Sequence, residues 1–178
     1  MTAGHSIRIL TAAAALAAVG TVQAAQTNSS FETGDFTGWN AQGAGWSVTD
    51  KGASDGRKSA QCAVARDEAP NVKACAKVIS NAKPGFLIRV NLDVAGKNKH
   101  KSSSAKISVI CVDKAGAILA EQEKKISAPQ TEFGRVTVPE LLVPSGTAEA
   151  YLMLMVEVAT PARSAEWWRF DRVDISVD

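Results

Sequence analysis

The feature that most constrains this chain is a one-for-one alternation of apolar and polar side chains. Over 86–94 the apolar set is Phe86, Ile88, Val90, Leu92 and Val94, and over 150–158 it is Ala150, Leu152, Leu154, Val156 and Val158. Successive side chains of an extended strand point to opposite faces, so this period describes strands that bury one face only. Shorter runs read the same way at 59–64, 74–79, 106–112, 117–126, 135–138 and 173–177, with a short one near Trp46. Residues 117–125 have helical propensity, but their neighbours favour a strand. The breaks are built for turns. Lys83-Pro84-Gly85 and Pro144-Ser145-Gly146 combine a preset φ with a residue that accepts positive φ, and Asp113-Lys114-Ala115-Gly116 reads as a hairpin. There is no convincing amphipathic helix, repeat or flexible linker. Eight or nine one-faced strands predict an all-β protein, a two-sheet antiparallel β-sandwich.

The first 24 residues read differently. Arg8 precedes an apolar run from Ile9 to about Val22, shorter than a bilayer span needs, and Val22-Gln23-Ala24 offers small residues for cleavage. This predicts a signal peptide over 1–24 and a secreted or periplasmic protein, with an Ala-rich leader of bacterial type. The remaining residues, 25–178, suit one domain. No later apolar stretch exceeds strand length, so no membrane span is expected. Without Arg8 the balance is 19 basic to 18 acidic residues, which argues against a nucleic-acid partner.

Three cysteines in an exported chain predict one disulfide and one leftover thiol. Cys62 with Cys75 closes the shortest loop, a bridge of roughly 3 kcal/mol in the chain-entropy model. Phase argues against that pair: Cys62 falls with Ala60 and Val64, inward, whereas Cys75 falls with Lys73 and Lys77, outward. Cys111 shares the phase of Ile107 and Val109 and reads as a buried hydrophobe.

Two segments near the ends of the mature chain carry more than periodicity. They are Asn28-Ser-Ser-Phe-Glu-Thr-Gly-Asp-Phe-Thr-Gly-Trp39 and Trp168-Arg-Phe-Asp-Arg-Val-Asp-Ile175. Together they resemble the opening and closing motifs of the cellulase-associated carbohydrate-binding modules of the galactose-binding-domain-like superfamily. The order of turns and strands between them fits as well. The resemblance implies a jelly-roll β-sandwich, a carbohydrate or polysaccharide partner, and a structural calcium ion where the chain ends meet. The matching residues are Glu32 and Asp171, with carbonyls near Lys51 or Asp55 to complete an oxygen shell. Arg172 departs from the family, which usually has a second acid there.

Little points to catalysis. The mature chain has one histidine, His100, in the loop Gly96-Lys-Asn-Lys-His-Lys-Ser-Ser-Ser104, and no CxxC, P-loop or GxSxG. A non-catalytic binding role is therefore expected. If the strands at 86–94, 106–112 and 150–158 share a sheet, one exposed face gathers Arg89, Asn91, Asp93, Tyr151 and Glu157. Guanidinium, amide and carboxylate groups hydrogen-bond sugar hydroxyls, and an aromatic ring covers an apolar sugar face. Trp39 and Trp46 are expected to pack between the sheets. Trp167 and Trp168 are adjacent and point to opposite faces, so whichever is exposed is the candidate stacking residue. Lys97, Lys99, His100 and Lys101 form a basic loop suited to an acidic polysaccharide. Met153, Met155, Ile110 and Val112 suggest an alternative: an apolar face for protein contact or self-association in an envelope or matrix subunit.

Overall fold

The computed structural model describes residues 28–127 and 130–178, so the expected leader at 1–24 lies outside the described residues. The strands are β1 (Asn40–Gln42), β2 (Trp46–Thr49), β3 (Ser59–Val64), β4 (Asn71–Val78), β5 (Leu87–Lys97), β6 (Ser103–Val112), β7 (Ile118–Ile126), β8 (Gly134–Leu142), β9 (Glu149–Val158) and β10 (Glu166–Val177). They form two antiparallel five-stranded sheets, ordered β1-β4-β9-β6-β7 and β2-β3-β10-β5-β8. The sandwich is as expected, with the three-residue β1 as the added strand. The segment at 117–125 is a strand, paired with β6.

The turns follow their chemistry. Asp113 accepts from the Ala115 and Ala117 N–H groups at 2.8 Å, and Gly116 takes φ 81° to close the β6–β7 hairpin. Gly85, at φ 87°, closes the 83–86 turn, where the Phe86 N–H donates to the Lys83 carbonyl at 3.0 Å.

The core lies between the sheets and takes Ile88, Val90, Leu92, Ile107, Val109, Leu152, Leu154, Val156, Trp168 and Phe170. The N-terminal segment caps it. Phe31 is fully buried and packs on Trp39 with ring centroids 5.1 Å apart, and the Trp39 indole donates to the Asn28 carbonyl at 3.2 Å. Trp46 stacks 5.8 Å from Phe170, so both early tryptophans pack as expected. The Val173 N–H donates to the Ser29 carbonyl at 3.0 Å, which brings the two terminal motifs together.

β10 carries a bulge. Its register against β5 shifts between Asp171 and Asp174, and Arg172 adopts φ 45°. The extra residue reverses the side-chain phase, so that Phe170 before it and Val173 and Ile175 after it all point inward.

β4 reverses the expected phase. Its inward side chains are Lys73, Cys75 and Lys77, all buried, while Val72 and Val78 face out. Two compensations make this tolerable. The Lys73 ammonium donates to the Ala63 carbonyl at 2.7 Å and pairs with Glu68 at 2.8 Å. The Lys77 ammonium stands 5.0 Å from the Trp39 ring centroid. Cys75 is thus a core residue, and so is Cys62. The expected Cys62–Cys75 bridge does not form: both are free, as is Cys111. Burial pushes the Cys62 and Cys75 thiols up to about 12, so neither is reactive as a thiolate.

Candidate functional site

The joint face expected from β5, β6 and β9 does not exist, because β5 belongs to one sheet and β6 and β9 to the other. Alternation correctly says which side chains leave the core, but each set leaves on its own side of the sandwich. Arg89, Asn91 and Asp93 lie on the outer face of the β2-β3-β10-β5-β8 sheet. Tyr151 and Glu157 lie on the outer face of the other sheet.

On that second face the expected residues serve one another. Tyr151 is only 5% exposed, and its hydroxyl donates to Glu149. Burial, followed by the Glu149 carboxylate, raises the Tyr151 hydroxyl above its ordinary value. Glu157 accepts from Lys125 at 2.8 Å and stands 3.7 Å from Lys106, which also pairs with Glu123 at 3.3 Å. Met155 and Val112 are buried and Met153 and Ile110 half-buried.

The outer face of the β2-β3-β10-β5-β8 sheet divides into two halves. In one, the polar groups are paired. Arg89 donates to Glu140 at 2.7 Å and to Asp178, and these two acids raise its guanidinium further. Arg135 bridges Asp93, at 3.1 Å, and Asp174, and the Thr137 hydroxyl donates to Asn91 at 2.6 Å.

The other half centres on Trp167. Its Cα partners are Ala63 on β3 and Lys97 on β5. Trp168, one residue on, is fully buried and donates its indole N–H to Ser103 Oγ at 3.0 Å; it is a core residue and cannot meet a ligand. Trp167 is therefore the outward ring. Two residues along β10, the Arg169 guanidinium lies 4.2 Å from the Trp167 centroid. Arg169 is in turn held by Gln61 Oε1 at 2.9 Å and the Lys51 carbonyl at 2.8 Å. The small side chains of Ala63 and Ala95 flank this pair, with Ser47 beyond Gln61. The result is an aromatic ring fixed by a planar cation beside an amide, on a sheet face. Arg169 escapes a reading of the sequence that begins the last strand at 173, and Gln61, although on the expected 59–64 strand, has no partner there to single it out. The phase shared by Trp167 and Arg169 was the available signal.

Calcium was expected at Glu32 and Asp171, but one oxygen of Glu32 and both of Asp171 face N–H donors. Glu32 Oε1 accepts the Arg57 and Lys58 N–H groups at 2.9 and 2.7 Å. Asp171 Oδ2 accepts from the Ser54 and Asp55 N–H groups at 2.6 and 2.9 Å, and Oδ1 from the Arg172 N–H at 2.7 Å. The Lys51 carbonyl is taken by Arg169. Burial raises the Asp171 carboxyl in spite of these donors. Among the described residues no three of His, Cys, Asp and Glu converge. Calcium requires six to eight oxygens, and this set of N–H donors does not fit it. The two carboxylates instead pin the 50–58 loop to the terminal motifs. Beside that loop an open concavity of about 300 Å³ is lined by Gly34, Val48, Thr49, Asp50 and Lys58, with no aromatic ring.

No family model and no curated relative matches the sequence. Solved structures do match. The enzymatically active domain of tailspike protein 4 from bacteriophage CBA120 is 13% identical at a TM-score of 0.61, over 85% of this chain and 21% of that one. A carbohydrate-binding module of the beta-sandwich superfamily, described as promiscuous in specificity, is 11% identical at 0.62, over 83% and 60%. The CBM22-1 xylan-binding domain of Paenibacillus barcinonensis Xyn10C is 18% identical at 0.58, over 83% and 90%. The chain thus spans about a fifth of the phage protein and 60% of the second match, but most of the third. At such identities the likeness is one of fold: the chain has the two-sheet jelly-roll fold of the carbohydrate-binding modules.

Proposed function

We propose that the protein is an exported, non-catalytic module that binds a glycan on the outer face of the β2-β3-β10-β5-β8 sheet, at Trp167. The observation that carries this reading is the half-buried Trp167 ring, fixed by Arg169 and flanked by alanines on an otherwise polar face. A sugar ring offers an apolar C–H face for such a surface, and Arg169, Gln61 and Ser47 offer donors and acceptors to its hydroxyls. The anchoring of Arg169 by Gln61 and Lys51 lowers the ordering cost of binding. The carbohydrate-binding modules that share the fold support the same reading. The paired acids and arginines of the other half then act as scaffold, Arg89, Asn91 and Asp93 among them.

A glycan array tests this. The parent protein is expected to retain at least one glycan class, with binding lost in Trp167→Ala and kept in Met153→Ser, which alters the opposite face. Absence of binding, or loss in Met153→Ser alone, would reject the site.

A protein-contact role is the second reading, and a different observation favours it. Val78, Phe86, Ile118, Leu119 and Leu142 are all exposed, and they lie at strand ends that share one end of the sandwich. Concentration-dependent self-association in sedimentation, reduced in Leu142→Ser, is its test.

A further inference from the structure

The opposite end of the sandwich collects cations. Three loops there, 65–70, 98–102 and 159–165, are stitched together through the backbone. The Asp67 N–H donates to the Ala162 carbonyl at 2.6 Å, the Ala162 N–H to Glu68 at 3.3 Å, and the Ala159 N–H to Ser102 at 2.9 Å. The stitching brings Arg66, Lys99, His100, Lys101 and Arg163 to one surface, all exposed. Lys97 continues it, and its Cα partner on β10 is Trp167. Of the acids at this end, Asp67 stands 3.6 Å from Arg66, Glu68 pairs with Lys73, and the buried Glu166 accepts from Ser103 Oγ at 2.6 Å, while the exposed Glu132, on the loop whose Gln130 carbonyl takes the Gly96 N–H, makes no ion pair among the described residues. Among the described residues, Lys97, Lys99, Lys101 and Arg163 make no ion pair.

The middle loop is built to present its charges. Asn98 is buried; its amide donates to the Ser103 carbonyl and its Oδ1 accepts the Ser102 N–H at 3.1 Å. Ser102 is buried too, and Lys101 is held at φ 55°, a left-handed conformation that costs a non-glycine residue energy. The chain thus anchors both ends of a five-residue loop and turns Lys99, His100 and Lys101 outward between them. The held backbone fixes where these cations stand, and the ordering cost left to an arriving anion is that of the lysine side chains themselves. Since the mature sequence is close to neutral, their gathering at one end is a local field and no reflection of overall charge.

We propose that this end selects an anionic polysaccharide, one bearing carboxylates or sulfate esters. One sugar stacks on Trp167, and the acid groups of neighbouring sugars meet Lys97, Lys99, Lys101 and Arg163. The inference rests on the glycan-binding reading and adds the chemical class of the ligand.

Affinity electrophoresis tests it, with polygalacturonate and heparin as anionic probes, xylan and hydroxyethylcellulose as neutral ones, and duplex DNA as a non-glycan polyanion. The parent is expected to bind an anionic glycan more tightly than the neutral ones, with an affinity that falls as salt rises. Lys99→Gln/Lys101→Gln, with an unchanged melting temperature, is expected to lose about 3- to 10-fold for that probe at low salt. Trp167→Ala is expected to lose more. Equal affinity for neutral and anionic glycans, or no effect of the double substitution, would overturn the charge selection and leave the glycan reading standing. Failure to bind any glycan would overturn both. Equal binding of DNA would reduce the surface to a general polyanion contact and overturn the selection.

Discussion

Replacing Lys73 by Met probes the least expected element of the fold, an inward lysine on β4. The side chains of Lys73 and Glu68 are 5% and 18% exposed, and the ammonium also holds the Ala63 carbonyl. Met keeps the apolar stem and deletes the charge. Removing one partner of a fully buried ion pair costs about 3–5 kcal/mol. Glu68 retains some solvent access and two other donors, Asn71 at 2.7 Å and the Ala65 N–H at 2.8 Å, so the expected loss falls to about 2–3 kcal/mol. With a urea m-value of about 2 kcal/mol/M, the midpoint should fall by roughly 1–1.5 M. Lys73→Met/Glu68→Gln removes the stranded charge and should recover about half of that loss, a coupling read by a double-mutant cycle. pH supplies an independent arm. Desolvation works to raise the Glu68 carboxyl, but Lys73, Asn71 and Ala65 outweigh it and hold it below the ordinary value. A carboxyl depressed in the folded state stabilises above its unfolded pKa, and that stabilisation is lost as pH falls through the folded one. The gap between parent and Lys73→Met should therefore narrow below the ordinary glutamate range. A midpoint within about 0.2 M of the parent, or a double variant no better than the single one, would refute the reasoning.

Two further predictions test what the structure changed. Glu32 and Asp171 hold backbone N–H groups, so the melting temperature should be the same in EDTA and in excess calcium; a rise with calcium would contradict the hydrogen-bonded pins. Three thiols should react with Ellman's reagent in guanidinium chloride and none in the native protein, because all three cysteines are free and buried; a count of one would restore a disulfide.

The strands were legible because alternation reports directly which side chains leave the core, as Ile88 to Val94 and Ala150 to Val158 illustrate; Phe86, read as the first of the inward row, precedes β5 in the 83–86 turn and is exposed. What alternation leaves open is which sheet a strand joins. Here β4, β5 and β6 pass from one sheet to the other and back, as do β7, β8 and β9, so strands close in sequence present their outer faces on opposite sides. This is why Arg89 and Tyr151 could be assigned to outer faces and still not to the same one. Phase also fails where charge is accommodated inside. Lys73 and Lys77 mark β4's core face, which made Cys75 look exposed, and nothing local announces Glu68 or Trp39 as their partners. At the other end of the chain the bulge at Arg172 separates two phases within β10, so a strand begun at 173 misses the outward row of Trp167 and Arg169. The adjacent tryptophans fixed that one must face out, but which one depends on the pairing of Trp168 with Cys62 across β3. The terminal motifs were the most informative stretch for the fold, and their acids proved to hold a loop.

The central claim, that a glycan meets the Trp167 half of one sheet face, is tested most directly by titrating the isotope-labelled protein with its best array glycan and following amide and indole NMR shifts. The Trp167 indole resonance is expected to move first. Amides of Ser47, Gln61, Ala63, Ala95, Lys97 and Arg169 should move with it, while those of Met153, Ser108 and Glu123 stay fixed. Shifts confined to the β1-β4-β9-β6-β7 face, with the Trp167 indole unmoved at saturation, would contradict the claim.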